Sequence, residues 1–134
     1  MKECLMKAKR INHIAIAVND LDTAVETFTK DFGLTLIREA TNGPGTLGMA
    51  FLEVGDTVLQ LVTPIGPGPV RDFLDTKGEG LHHICFDVES LKEATETHPG
   101  GPIDKGGLGG QVSFLKESVH GAVIELSAPL PEEG

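Results

Sequence analysis

Leu81-His82-His83-Ile84-Cys85-Phe86-Asp87-Val88-Glu89-Ser90-Leu91 repeats the pattern of Ile11-Asn12-His13-Ile14-Ala15-Ile16-Ala17-Val18-Asn19-Asp20-Leu21, seventy residues earlier. Ala24, Glu26 and Thr27 follow the first copy, and Ala94, Glu96 and Thr97 follow the second. Later in each half, Val58-Leu59-Gln60-Leu61-Val62-Thr63-Pro64 recurs as Val123-Ile124-Glu125-Leu126-Ser127-Ala128-Pro129. Two copies are too few for a solenoid, which needs at least about three to bury a continuous core. They fit instead a pair of halves related by a pseudo-twofold axis.

Each half changes period in the same order. Residues 11–18 alternate and are rich in Ile and Val, the signature of a strand. Asn19-Asp20 then offers a turn and an N-cap, and Leu21, Ala24, Val25 and Phe28 recur at helical spacing, with Gly33 as the C′ residue. Strands are expected over 34–39, 47–54 and 57–62, the last two joined tightly at Gly55-Asp56. The second half repeats this with strand 81–88, helix 90–97 capped by Ser90, a Gly/Pro-rich stretch 99–110, and strands near 111–115 and 122–127. Both halves read β-α-β-β-β. The expected organisation is an N-terminal extension (1–10) and one domain (11–130) of two repeats, 11–64 and 81–129. The connector 65–80 carries one or two amphipathic turns through Val70, Phe73 and Leu74.

Composition narrows the function. Acidic residues outnumber basic ones 20 to 11, and the net charge of −9 opposes nucleic acid or an anionic membrane as partner. No apolar run nears the roughly 18 residues of a membrane span, and MKECLMKAKR lacks the apolar stretch and cleavage site of a secretory signal. Cys4 and Cys85 make no disulfide framework, so a reducing cytoplasm is expected. Trp and Tyr are absent, which excludes a tyrosine acid/base.

Alternation puts His13, Ala15 and Ala17 on one face of the first strand, and His83, Cys85 and Asp87 on the equivalent face of its counterpart. Gln60 and Glu125 each stand between apolar neighbours in the last strand of a half. Each half thus offers an imidazole and a carboxyl or carboxamide from matching positions. His13, Gln60, His83 and Glu125 together suit a borderline divalent ion, Co²⁺, Mn²⁺, Ni²⁺ or Zn²⁺, with two octahedral positions left over. His82, of opposite parity, reads as a packing residue, Cys85 as a small buried hydrophobe, and His98 and His120 as loop residues. The glycines at 106–110 lack the rest of a phosphate-binding motif and read as a flexible loop.

This arrangement, over 11–129, resembles the vicinal oxygen chelate superfamily, which includes glyoxalase I, extradiol dioxygenases, fosfomycin-resistance proteins and the methylmalonyl-CoA epimerases. It resembles the epimerases in particular through 13–21, through Ala-Phe-Leu-Glu-Val-Gly-Asp-Thr at 50–57, and through Gly-Glu-Gly-Leu-His-His-Ile-Cys-Phe-Asp-Val at 78–88. The resemblance implies an α+β, glyoxalase-like fold in which two paired βαβββ modules form a metal-binding cleft, commonly in a homodimer. It also implies His13, Gln60, His83 and Glu125 as metal ligands, Glu125 as the catalytic residue, and a small-molecule substrate such as an acyl-CoA. The implied activity is that of a divalent-metal-dependent isomerase moving a proton alpha to a thioester carbonyl through a metal-stabilised enolate. The loop glutamate that such epimerases place ahead of the third strand has no counterpart in Asn42-Gly43-Pro44-Gly45-Thr46, where Glu39 and Glu53 are the nearest carboxylates. A glyoxalase I-type lyase acting on a small 2-oxo compound and a non-catalytic binding protein of the same fold therefore stay open. Arg38 and Lys105 are the candidate cations for an acyl-CoA polyanion.

Overall fold

The computed structural model describes residues 7–130, so Cys4 and most of the expected N-terminal extension lie outside the described residues. Among these, 13–82 form one compact unit, and 7–12 with 83–130 form another. The fold is α+β, and each unit is built on β-α-β-β-β.

In the first unit the alternating run forms β1 (Arg10–Ala17), and α1 (Leu21–Lys30) follows. Asp20 caps α1 by accepting from the Thr23 amide at 3.0 Å, which satisfies one of the helix's orphan donors. The helix packs Leu21, Ala24, Val25 and Phe28 against Val18, Ala50, Leu52 and Leu61. It ends at the cap Asp31, so Gly33, with φ +71°, lies two residues past the cap rather than at C′. Next come β2 (Thr35–Thr41), β3 (Leu47–Val54) and β4 (Thr57–Pro64), with Gly55 taking φ +57° in the β3–β4 turn. The order is β2-β3-β4-β1, antiparallel except for the parallel β4–β1 pair. A bulge between Leu36 and Arg38 shifts the β2–β3 register by one residue.

The connector is more ordered than expected. It folds as α2 (Pro69–Lys77), with Pro in the first turn, and buries Val70 and Leu74. These two meet Ala17, Met49, Phe51 and Val62 on the face of the sheet opposite α1.

The second unit continues β5 (Gly80–Asp87), α3 (Leu91–Ala94), β6 (Asp104–Lys105), β7 (Gln111–Phe114) and β8 (Ile124–Ala128), ordered β5-β8-β7-β6. Here α3 is a single turn where 90–97 was expected. The Thr95 hydroxyl turns back onto the Leu91 carbonyl at 2.8 Å, and Pro99 disfavours helix in the residue before it. The Gly/Pro-rich stretch also contains the short strand β6, paired to β7. Leu91 and Ala94 pack with Val88, Leu115, Leu126 and Ala128 on one face of this sheet. No helix among the described residues is long and apolar enough to cross a membrane.

Candidate metal centre

The strand register builds the same half-site twice. In the first unit His13 lies opposite Val58, and Ala15 lies opposite Gln60. Directly opposed residues share a face of the sheet, so His13 and Gln60 project to the same side, one step apart on neighbouring strands. In the second unit Cys85 lies opposite Glu125, and His83 is two residues before Cys85. His83 and Glu125 therefore occupy the positions that His13 and Gln60 occupy in the first unit.

All four side chains are buried, each with no more than 7% of its surface exposed. A polar group so buried costs free energy unless it is bonded. Gln60 Nε2 donates to Met49 Sδ at 3.2 Å, while Gln60 Oε1 has no hydrogen-bond partner among the described residues. His83 Nε2 stands 3.2 Å from Glu125 Oε1. The edge of Phe114 or of the imidazole meets the other ring at 83°, with centroids 4.9 Å apart, which limits the His83 rotamer. Phe114 reaches that position because it lies opposite Glu125 across β7 and β8.

Cys85 shares this face and is fully buried. Burial pushes its thiol well up, and the negative charges of Glu125 and Asp87 push in the same direction. It stays a neutral thiol beside Glu125, as expected of a small buried residue. Asp87 accepts from Arg10 Nε at 2.6 Å and Asn12 Nδ2 at 3.0 Å, contacts that hold the start of β1 to the end of β5 within the second unit. His82 turns away from His83 and packs edge-on to Phe73, with centroids 5.0 Å apart. His98 and His120 are exposed.

The two nearest carboxylates are separated by register. Glu39 lies opposite Ala50, whose side chain faces α1. Glu53 lies opposite Val58, on the face of Gln60 and His13. Sequence reading left both open because the bulge that fixes the register of β2 has no clear signature in Leu36-Ile37-Arg38.

The residues fit a divalent ion. Each unit offers an imidazole beside a carboxamide or carboxylate oxygen, the nitrogen and oxygen donors that Co²⁺, Mn²⁺, Ni²⁺ or Zn²⁺ accept, and the Gln60 amide oxygen has no partner among the described residues.

The sequence pattern of the Glyoxalase/Bleomycin resistance protein/Dioxygenase superfamily matches residues 12–103. The chain belongs to this superfamily. It is 32% identical over 128 residues to the ethylmalonyl-CoA/methylmalonyl-CoA epimerase of Cereibacter sphaeroides, covering 87% of this chain and 96% of the relative. It is 31% identical to a probable lactoylglutathione lyase of Vibrio cholerae, covering 90% of this chain and 91% of the relative. The crystal structure of methylmalonyl-CoA epimerase from Mycobacterium tuberculosis superposes with a TM-score of 0.84 at 25% identity, over 98% of this chain and 93% of that one. Superfamily membership thus covers both an isomerase and a lyase.

Proposed function

We propose that the chain is a divalent-metal-dependent isomerase of the methylmalonyl-CoA epimerase kind. His13, Gln60, His83 and Glu125 are the ligands of a single ion, and Glu125 is also the catalytic residue. The observation that carries this reading is Gln60 Oε1, a buried acceptor with no partner among the described residues, on the same strand position that Glu125 holds in the other unit. A structural glutamine would use its oxygen as well as its nitrogen.

The bound ion would supply Lewis-acid stabilisation of the negative charge that develops on a carbonyl oxygen when the adjacent proton leaves. The chain does the rest. His13 and His83 supply nitrogen donors, and Phe114 packs edge-to-face with the ring of His83. The Glu125 carboxylate, already in a shielded position, takes the proton alpha to the thioester carbonyl from one face. Inversion is completed when a second acid delivers a proton to the opposite face, a role open to the Glu53 carboxyl on the face of His13 and Gln60. The buried surroundings of Glu125 exclude water that would compete for that proton. Cys85, held as a neutral thiol, keeps a second anion away from Glu125.

The epimerase similarity, together with Glu53 standing as a carboxylate on the face of His13 and Gln60, supports isomerisation of an acyl-CoA. The lactoylglutathione lyase similarity supports a second reading, conversion of a 2-oxoaldehyde adduct, which needs the same proton chemistry. The test is to load the protein with Co²⁺ or Mn²⁺ and supply single-epimer methylmalonyl-CoA and, separately, the methylglyoxal–glutathione hemithioacetal. Metal-dependent interconversion of the methylmalonyl-CoA epimers is the expected result. Turnover of the hemithioacetal alone selects the lyase, and turnover of neither with metal bound rejects both.

A further inference from the structure

We infer that Arg38 is an anion-anchoring residue of this site, placed there by the β-bulge in β2; the inference rests on the proposed acyl-CoA reading. Before the bulge, Leu36 lies opposite Leu52, whose side chain packs under α1. A regular strand would put Arg38 on that same face. The extra residue, Ile37, shifts the register so that Arg38 lies opposite Phe51 and Ala40 opposite Met49. Ala40 indeed packs with Met49 and Phe51, on the face opposite α1. Phe51 in turn lies opposite Gln60, and Gln60 opposite Ala15. Arg38, Phe51, Gln60 and Ala15 form one row across four strands with their side chains on one face. Arg38 is two strand spacings from Gln60, roughly 9.5 Å between backbones, a gap that a guanidinium on its flexible stem and a bound ligand can share.

Charge makes the placement meaningful. The paired strand residues on this face of the first unit include one basic side chain, Arg38, and one acidic side chain, Glu53. On the equivalent face of the second unit they include Asp87, Asp104 and Glu125, and the arginine that reaches this face, Arg10, is engaged by Asp87 at 2.6 Å. Lys105 lies opposite Gln111, which lies opposite Ala128 in the core beside α3, so it belongs to the other face. Arg38 is exposed and makes no ion pair with any described residue. A planar, always-charged fork that no described residue pairs with is suited to a carboxylate or phosphate. In a chain of net charge −9 it offers the local attraction that an anionic thioester requires. Bulges commonly re-aim a side chain beside a functional site.

The test uses the full-length metal-loaded protein. Binding of methylmalonyl-CoA and of the phosphate-free methylmalonyl-pantetheine is measured by calorimetry, and turnover is followed in parallel. Arg38→Ala should weaken thioester binding by about 10- to 100-fold, the range of a charged hydrogen bond, and raise KM while leaving kcat and Co²⁺ affinity within about two-fold. Arg38→Lys should recover part of the loss, and Lys105→Ala should change nothing. Loss with both thioesters assigns Arg38 to the carboxylate; loss confined to the CoA form assigns it to phosphate. Arg38-dependent binding without wild-type turnover sinks the isomerase reading and leaves this inference standing. Turnover with equal binding by wild type and Arg38→Ala, or a wild type that binds neither thioester, overturns the inference.

Discussion

A buried acceptor left without a partner costs about 1–3 kcal/mol, and among the described residues nothing bonds Gln60 Oε1. If its purpose is to hold a metal, stability and chemistry pull in opposite directions at this residue. Gln60→Met should therefore raise the stability of the metal-free protein by about 1 kcal/mol. It should also weaken Co²⁺ binding by at least the roughly 10-fold that loss of a supporting group costs. Thermal melts and calorimetry read both, and unchanged Co²⁺ affinity would remove Gln60 from the ligand set. Cys85 makes the opposite case of a group kept inert. In a Cys4→Ser background it should not react with a thiol reagent until the chain unfolds, because its side chain is fully buried. Rapid labelling of the native protein would show that β5 opens. At this scale the sequence was informative because of the repeat. A lone strand histidine says little, but His13 and His83 in matching frames, followed by Gln60 and Glu125 in matching frames, marked four side chains. Which of Glu39 and Glu53, or of Arg38 and Lys105, belongs with them depends on inter-strand register, which alternation within one strand does not encode.

Elements were legible where their period was long enough to repeat. Strands β1 and β5 alternate over eight residues, β3 and β4 are largely apolar runs joined by a Gly-Asp turn, and α1 shows two turns of apolar spacing behind a capping Asp. The cap should be measurable: Asp20→Ala removes the bond to the Thr23 amide and should cost about 1 kcal/mol by thermal or urea unfolding. A loss below a few tenths would mean that packing against Leu52 and Leu61, not the cap, fixes the start of α1. Helix α2 was harder to foresee, because Val70, Phe73 and Leu74 stand among Gly and Pro, and its stability comes from burial against Met49, Phe51 and Val62. Leu74→Ala should accordingly destabilise the protein by about 2–3 kcal/mol, read as a fall in the urea midpoint. Helix α3 was overestimated for a matching reason. The pattern Leu91, Ala94 supports one turn, and the hydroxyl of Thr95 competes for the backbone beyond it.

For the whole molecule, a repeat has given two units with the same strand order and the same pair of donors, His13 with Gln60 and His83 with Glu125. A ligand that binds the folded chain alone stabilises it by mass action, about 2.7 kcal/mol at a hundred times its Kd. Co²⁺ at that excess should raise Tm, a chelator should reverse the rise, and both His13→Ala and His83→Ala should abolish it. The overall acidity has also acquired a local meaning. Its negative charge is spread over the chain, whereas one basic residue, Arg38, is turned by a bulge toward the face that carries His13 and Gln60. The central claim is that these donors serve proton transfer next to a thioester carbonyl. Mass spectrometry of methylmalonyl-CoA incubated in D₂O with the Co²⁺-loaded protein tests it most directly, with methylmalonyl-CoA in buffer and Co²⁺ alone as control. The account predicts deuterium at C2 well above the control, dependent on metal and lost in Glu125→Gln. Bound Co²⁺ with C2 exchange no faster than the control would contradict it.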